Sequence, residues 1–293
     1  MKSRPLYIVD VFTKAKYTGN QLAVIRNADG LTKEEMLEIT REMNYSETSF
    51  IISDEKRNGG WDVRIFTMDR ELPFAGHPTL GTAYVIQKEI AGDKEKEIRL
   101  NLKAGQIPVT VDPADESILW MKQNQPEFRK TYERAVIADI LETDEKEIDE
   151  RFPVQNVSTG ISFIIVPFKS LSAIKKLKRN WEKFKDLPKM DDAVGTLVFA
   201  PETYNKENDI NARVFTDIED IPEDPATGSA NGCFAAYLAK NRYFGDANVD
   251  ARIEQGYEIG RPSLLYLKSE DRGSEVDVYV GGSVVMIARG ELL

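Results

Sequence analysis

"VRIFTMDRELPFAGHPTLGTAYVI", Val63–Ile86, decides the fold, because much of it is written a second time. "VRIFT" at 63–67 returns as "ARVFT" at 212–216. "GHPTLGTAYVI" from Gly76 is echoed by "GSANGCFAAYL" from Gly228, and Gly81 matches Gly232 if the second loop is two residues longer. A "TG" ahead of an apolar run also recurs, as "TGNQLAVI" from Thr18 and "TGISFIIV" from Thr159. Four echoes in one order, at an offset of about 140 to 150 residues, indicate two homologous halves.

Around these echoes the elements are mixed. "LYIVDVFT", "QLAVIRN", "TSFIIS" and "WDVRIFT" are rich in β-branched and aromatic residues and read as strands. "LTKEEMLEITREMN" reads as a helix with Thr32 as N-cap, Glu35 as its capping-box partner, and Met36, Ile39 and Met43 on one face. "SLSAIKKLKRNWEKFKDL" reads as a second, more exposed helix with Ile174, Leu177, Trp181 and Phe184 on its apolar face. Strands outnumber helices and often follow one another directly. The expected class is therefore α+β, with helices packed on or inside curved, mostly antiparallel sheets, and not a doubly wound parallel sheet.

A chain of 293 residues has room for one large or two medium domains. The expected division is 1–125 and 126–282, with the C-terminal end, about 283–293, returning to the first domain. The net charge of -10 and pI of about 4.9 argue against nucleic acid and anionic membrane as partners, since both need a basic face. No apolar run reaches the length of a membrane span and the start lacks a signal-peptide pattern, so a cytoplasmic protein is expected. The single cysteine, Cys233, rules out an internal disulfide, and with only one histidine it leaves no nitrogen–sulfur zinc set within one chain.

That histidine, His77, stands in the "GHPTLGT" turn. The turn has phosphate-loop spacing, but Thr82 occupies the place of the required lysine, and no dinucleotide fingerprint follows a strand. "GSANG" is not a nucleophile elbow, so a serine-hydrolase triad has no support. What both glycine turns offer is a helix N-terminus, where unpaired N–H groups and the macrodipole favour an anion. Gly76–Pro78 and Gly228–Ala230 are thus candidate binders of a small carboxylate, set against the plain reading that such turns merely start helices. In "NYSETSFI", Glu47 precedes an apolar strand, with Ser46, Thr48 and Ser49 as candidate hydrogen-bond partners; the plain reading is a solvated strand end. "EDIPEDPATGSANG" holds Glu219, Asp220, Glu223 and Asp224, read as an acidic surface loop or, less favourably, a carboxylate magnesium site. Asp224 precedes Pro225 and is therefore biased towards an extended backbone.

Taken together, "DVFT…TGNQLAVI", "NYSETSF", "ELPFAGHPTLGTA" and "EDPATGSANG" resemble the PhzF-like family of phenazine biosynthesis, whose fold is shared with diaminopimelate epimerase. The motifs run in the family's order from residue 7 to about 240. The resemblance implies two similar α+β domains, each a curved sheet around a central helix, with the active site in the cleft between them. It implies that Glu47, His77 and Asp224 are catalytic and that Gly76, Pro78, Gly228, Ser229 and Ala230 bind substrate. It also implies no metal or organic cofactor and a homodimer. In the phenazine enzyme the glutamate moves a proton on trans-2,3-dihydro-3-hydroxyanthranilate. Racemases of the same fold use two thiols, which one cysteine cannot supply. The expected activity is a cofactor-free isomerase of a small unsaturated or cyclic carboxylic acid. The alternatives are another proton-transfer or hydrolytic activity on the same scaffold, or a non-enzymatic homodimer that binds small carboxylates.

Overall fold

Pairing by pairing, the two halves of the chain repeat one topology. The computed structural model describes residues 3–185, 192–218 and 221–293. In the first half β1 (Arg4–Val11) and β2 (Asn20–Ile25) run antiparallel; helix α1 (Lys33–Met43) crosses over, and β3 (Thr48–Ile51) returns parallel to β2. β4 (Trp61–Phe66) and β5 (Glu71–Leu72) continue antiparallel. Helix α2 (Gly76–Ile86) then crosses to β6 (Glu97–Leu102), parallel to β4, and β7 (Gly105–Val111) and β8 (Ile118–Lys122) follow antiparallel.

The second half begins with β9 (Glu127–Tyr132), helix α3 (Arg134–Ile140) and β10 (Val154–Ser158), where β10 pairs antiparallel with β9. Then the first plan returns. β11 (Ser162–Pro167) runs antiparallel to β10; helices α4 (Leu171–Lys176) and α5 (Trp181–Phe184) cross over, and β12 (Ala193–Ala200) lies parallel to β11. β13 (Ile210–Ile218) and β14 (Ile221–Asp224) are antiparallel. Helix α6 (Gly228–Lys240) leads to β15 (Asn248–Gln255), parallel to β13, and β16 (Ser263–Asp271) closes the pattern. β17 (Val276–Leu292) follows, pairing with β1 from Val284 onward. Two compact units result: Met1–Lys122 with Gly281–Leu293, and Gln123–Val280. Each is an α+β unit whose mostly antiparallel sheet packs on one central helix.

The central helices are buried on nearly every side and mostly apolar. Every residue of α2 but Tyr84 is buried, and it touches β1, β2, β3, β6, β7 and β8. Every residue of α6 but Lys240 is buried, and it touches β10, β11, β12, β15 and β16. Gly81 permits the close approach of α2: a Cβ there would stand 2.6 Å from Leu22 and 2.9 Å from Val11. The outer helix α1 carries the capping box expected of Thr32 and Glu35, and packs Met36, Ile39 and Met43 on Ala23, Ile25, Phe50 and Phe66.

Register fixes which residues correspond. Thr48 pairs Ala23 and Phe66; Thr196 pairs Ile164 and Phe215. Glu47, one residue before Thr48, therefore corresponds to Gly195. Glu71 faces Phe66 as Glu223 faces Phe215, so Leu72 corresponds to Asp224, and the helix N-caps Ala75 and Thr227 correspond. His77 then matches Ser229. Asn101 faces Asp62 as Glu254 faces Asn211, so Leu102 corresponds to Gln255. Four residues separate Phe66 from Glu71 and seven separate Phe215 from Glu223, so the second loop is three residues longer, not two. Gly81 consequently falls opposite Cys233 rather than Gly232.

The single helix expected over 170–187 is two short ones. The chain breaks at Leu177 (φ -61, ψ 138), and Asn180 caps the second helix through Glu182 N. The physical reason is Arg213, whose Nη1 takes the carbonyls of Ile174 and Leu177 at 2.6 and 3.0 Å. Ile174, Leu177 and Phe184 still enter the core, with Trp181 packed against it. Positions 186–187 of that reading lie outside the described residues, as do Glu219 and Asp220. No described helix is long and apolar enough to cross a membrane.

Candidate active site

Glu47 sits immediately before β3, and the pleat that turns Ala23, Thr48 and Phe50 towards α1 turns Glu47 to the α2 side. Its side chain is 19% exposed, but the oxygen Oε2 is buried and has no hydrogen-bond partner among the described residues. Desolvation pushes the Glu47 carboxyl up to about 7, against a hydrogen bond from Ser46 that pulls the other way. Of the three small polar neighbours expected to bond it, only Ser46 does so. The Thr48 and Ser49 hydroxyls are buried and have no hydrogen-bond partner among the described residues.

His77 stands in the first turn of α2, with its Nε2 3.6 Å from Glu47 Oε2. That separation exceeds a hydrogen bond. It places two proton-carrying groups face to face, and it is burial rather than His77 that raises Glu47. The N-cap of α2 is Ala75, which has no side chain that can cap it, so Gly76 and Pro78 open a turn without a cap from its own N-cap residue. The structure thus brings Glu47, His77, Gly76 and Pro78 together in the first unit.

Asp224, Gly228, Ser229 and Ala230 come together in the second unit. Asp224 ends β14 in the extended conformation expected before Pro225. Thr227 is a natural capping residue, yet its Oγ1 donates to Asp224 Oδ2 and makes no cap bond to α6. The first turn of α6, Gly228–Ala230, is therefore as uncapped as that of α2. Glu223 departs from the acidic surface loop expected of it. It is buried, and both its oxygens accept from Arg213, at 3.0 and 2.7 Å, which also removes it as a magnesium ligand.

Cys233 is a buried core residue of α6. Its Sγ donates to Ile161 O at 3.3 Å, and burial pushes the thiol up to about 11, far from the thiolate that a nucleophile needs.

Two sets of residues escaped sequence reading. One is the pair Arg64–Glu71, at 2.8 and 3.0 Å, with its counterpart Arg213–Glu223; each clamps the hairpin ahead of a central helix. The arginines lie inside the "VRIF" and "ARVF" echo, where their recurrence was the available signal. The other is Gln255, for which the sequence carries no signal.

Known proteins resemble this chain over nearly its whole length. A model of the phenazine biosynthesis-like protein family, PhzC-PhzF, matches residues 9–290. An uncharacterized isomerase of Clostridium acetobutylicum is 34% identical, over 98% of this chain and 97% of its own. The trans-2,3-dihydro-3-hydroxyanthranilate isomerase of Pseudomonas aeruginosa is 32% identical, over 97% of each chain. The crystal structure of a Bacillus anthracis phenazine biosynthesis protein of the PhzF family superimposes with a TM-score of 0.90 over 100% of both chains, at 27% identity. The chain belongs to the phenazine biosynthesis-like PhzC-PhzF family, and its similarity to proteins named isomerases spans nearly its whole length.

Proposed function

We propose that the protein is an isomerase that moves a proton on a small unsaturated or cyclic carboxylic acid, with Glu47 as the single proton carrier. The observation that carries this reading is the buried Glu47 oxygen, unpartnered, 3.6 Å from His77, on a carboxyl pushed up to about 7. A general acid–base works best when its pKa lies near the working pH, because both forms are then available. Glu47 would take a proton from one carbon and return it to another on the same face. Negative charge left on the substrate would be met by His77 and the uncapped turn at Gly76–Pro78. The turn Gly228–Ser229–Ala230 would take the acid group, and Asp224 would hold a polar substituent. The chain's own groups supply every part of such a step, so the reading calls for no cofactor.

The test is proton exchange followed by NMR in D₂O, with trans-2,3-dihydro-3-hydroxyanthranilate and related unsaturated carboxylates as probes. Wild type is expected to deliver deuterium to a ring carbon. Glu47→Gln should lose this by a factor of about 10² to 10⁴, the usual weight of a general acid–base. Near-normal exchange in the folded variant would sink the assignment.

A further inference from the structure

The repeat offers a subtraction. At four corresponding places around the turn into the central helix, the first unit has Leu72, Ala75, Thr79 and Leu102, and the second has Asp224, Thr227, Asn231 and Gln255. Thr79 and Asn231 do the same work, since each bonds the N-cap carbonyl four residues back. The other three changes put polar groups where the same fold closes with apolar ones. Burying them is unfavourable unless each finds a partner.

Gln255 meets the other two. Gln255 is wholly buried at the end of β15. Its Nε2 donates to Asp224 O at 2.8 Å and to Thr227 Oγ1 at 3.2 Å. Its Oε1 accepts from Asn231 Nδ2 at 2.8 Å and Thr227 N at 3.4 Å. The amide cannot turn over, because its N–H₂ would then face two donors. With Thr227 Oγ1 accepting from Gln255, the threonine's own proton is directed to Asp224 Oδ2. The strand end is held against the same turn: a Cβ on Gly256 would lie 2.6 Å from Pro225 O. Asp224 is thus fixed at its carbonyl by Gln255 and at its carboxylate by a threonine that Gln255 orients.

We infer that Gln255 is a positioning residue: acting through Thr227, it sets the rotamer of the Asp224 carboxylate at the start of α6. This rests on the proposed role of Asp224 and deepens it. Gln255 touches no reacting atom and needs no charge of its own. A side chain that merely filled space could be replaced by the leucine the first unit uses at the same place.

The test compares Gln255→Leu and Gln255→Glu with wild type. Three-bond couplings from Asp224 Cγ to its own N and C′, measured by NMR, report χ1 without any substrate. Wild type is expected to show a single rotamer, and both variants averaging between wells with the remaining spectrum unchanged. Unaltered couplings in both folded variants would overturn the inference, whatever the catalytic outcome. In the exchange assay with trans-2,3-dihydro-3-hydroxyanthranilate, Gln255→Glu should lower kcat by up to about 10²-fold, as small misplacements do, with KM moving much less. In an Asp224→Asn background the same change should cost nothing further. Full additivity of the two substitutions would mean that Gln255 does not act through Asp224. A harmless Asp224→Asn would instead break the reading of Asp224, leaving the couplings to decide the role of Gln255.

Discussion

The two units share strands, crossovers and a buried helix, and differ where chemistry is at stake. Glu47 in the first corresponds to Gly195 in the second, Leu72 to Asp224, His77 to Ser229, and Leu102 to Gln255. What stays the same is equally informative. Both units keep an arginine two residues before a phenylalanine, its guanidinium 5.0 Å from the ring centroid at Phe66 and 4.7 Å at Phe215, bridged to a glutamate across the hairpin. The clamp therefore belongs to the scaffold. The candidate site groups differ from unit to unit, each unit carrying a set the other lacks.

The largest stability effect expected follows from how unequally the shared clamp is buried. The Arg213 and Glu223 side chains are 7% and 5% exposed, those of Arg64 and Glu71 30% and 16%. Removing one partner of a buried pair leaves an uncompensated charge, so Arg213→Met should cost about 3 to 5 kcal/mol. It also releases the carbonyls of Ile174 and Leu177. Arg64→Met, on the half-exposed pair, should cost about 1 kcal/mol or less. Urea denaturation of the two variants checks this, and equal losses would break the claim that burial separates them.

A second contrast concerns pH. Glu47 has a raised carboxyl and Gly195 has none, so the titration belongs to the first unit alone. In the fold Glu47 holds its proton up to about 7, whereas in the unfolded chain it releases it near 4.5. The folded state binds the extra proton between these values, so stability falls as pH rises through that window. The loss should reach at most about 3 kcal/mol by pH 8. Glu47→Gln should flatten this slope and be the more stable form at pH 8. A slope unchanged by the substitution would mean that Glu47 ionises as an ordinary surface acid.

Much of this was readable from the sequence because repetition and capping are local. Each copy of the "VRIFT" and "ARVFT" echo, the Thr32–Glu35 box and each buried glycine turn is a run of a few residues that can be read by itself. The readings that failed depended on partners far along the chain. The helix over 170–187 breaks because Arg213, more than thirty residues away, claims its carbonyls. Glu223 looked exposed because its partner lies on another strand. Gln255 carries no sequence signal, since nothing in "ARIEQG" shows that a buried amide will meet the turn at Asp224–Thr227.

A third contrast tests the correspondence itself, at the position where one unit has Glu47 and the other has Gly195. Gly195 faces Thr216 across the β12–β13 pair, and a Cβ on it would stand 2.4 Å from Phe215 O and 3.4 Å from Phe163. The nearest obstacle is backbone, which cannot rotate aside as a side chain can. Gly195→Ala should therefore force a local shift costing about 1 to 3 kcal/mol, the usual range for overpacking. The second unit has closed the space that the first uses for its carboxyl, so the loss should appear in the unfolding of residues 123–280 and leave Glu47 untouched. Hydrogen exchange by unit reads this directly. If Gly195→Ala were neutral, the space would be open in both units, and the asymmetry between Glu47 and Gly195 would reflect chemistry alone rather than chemistry and packing together.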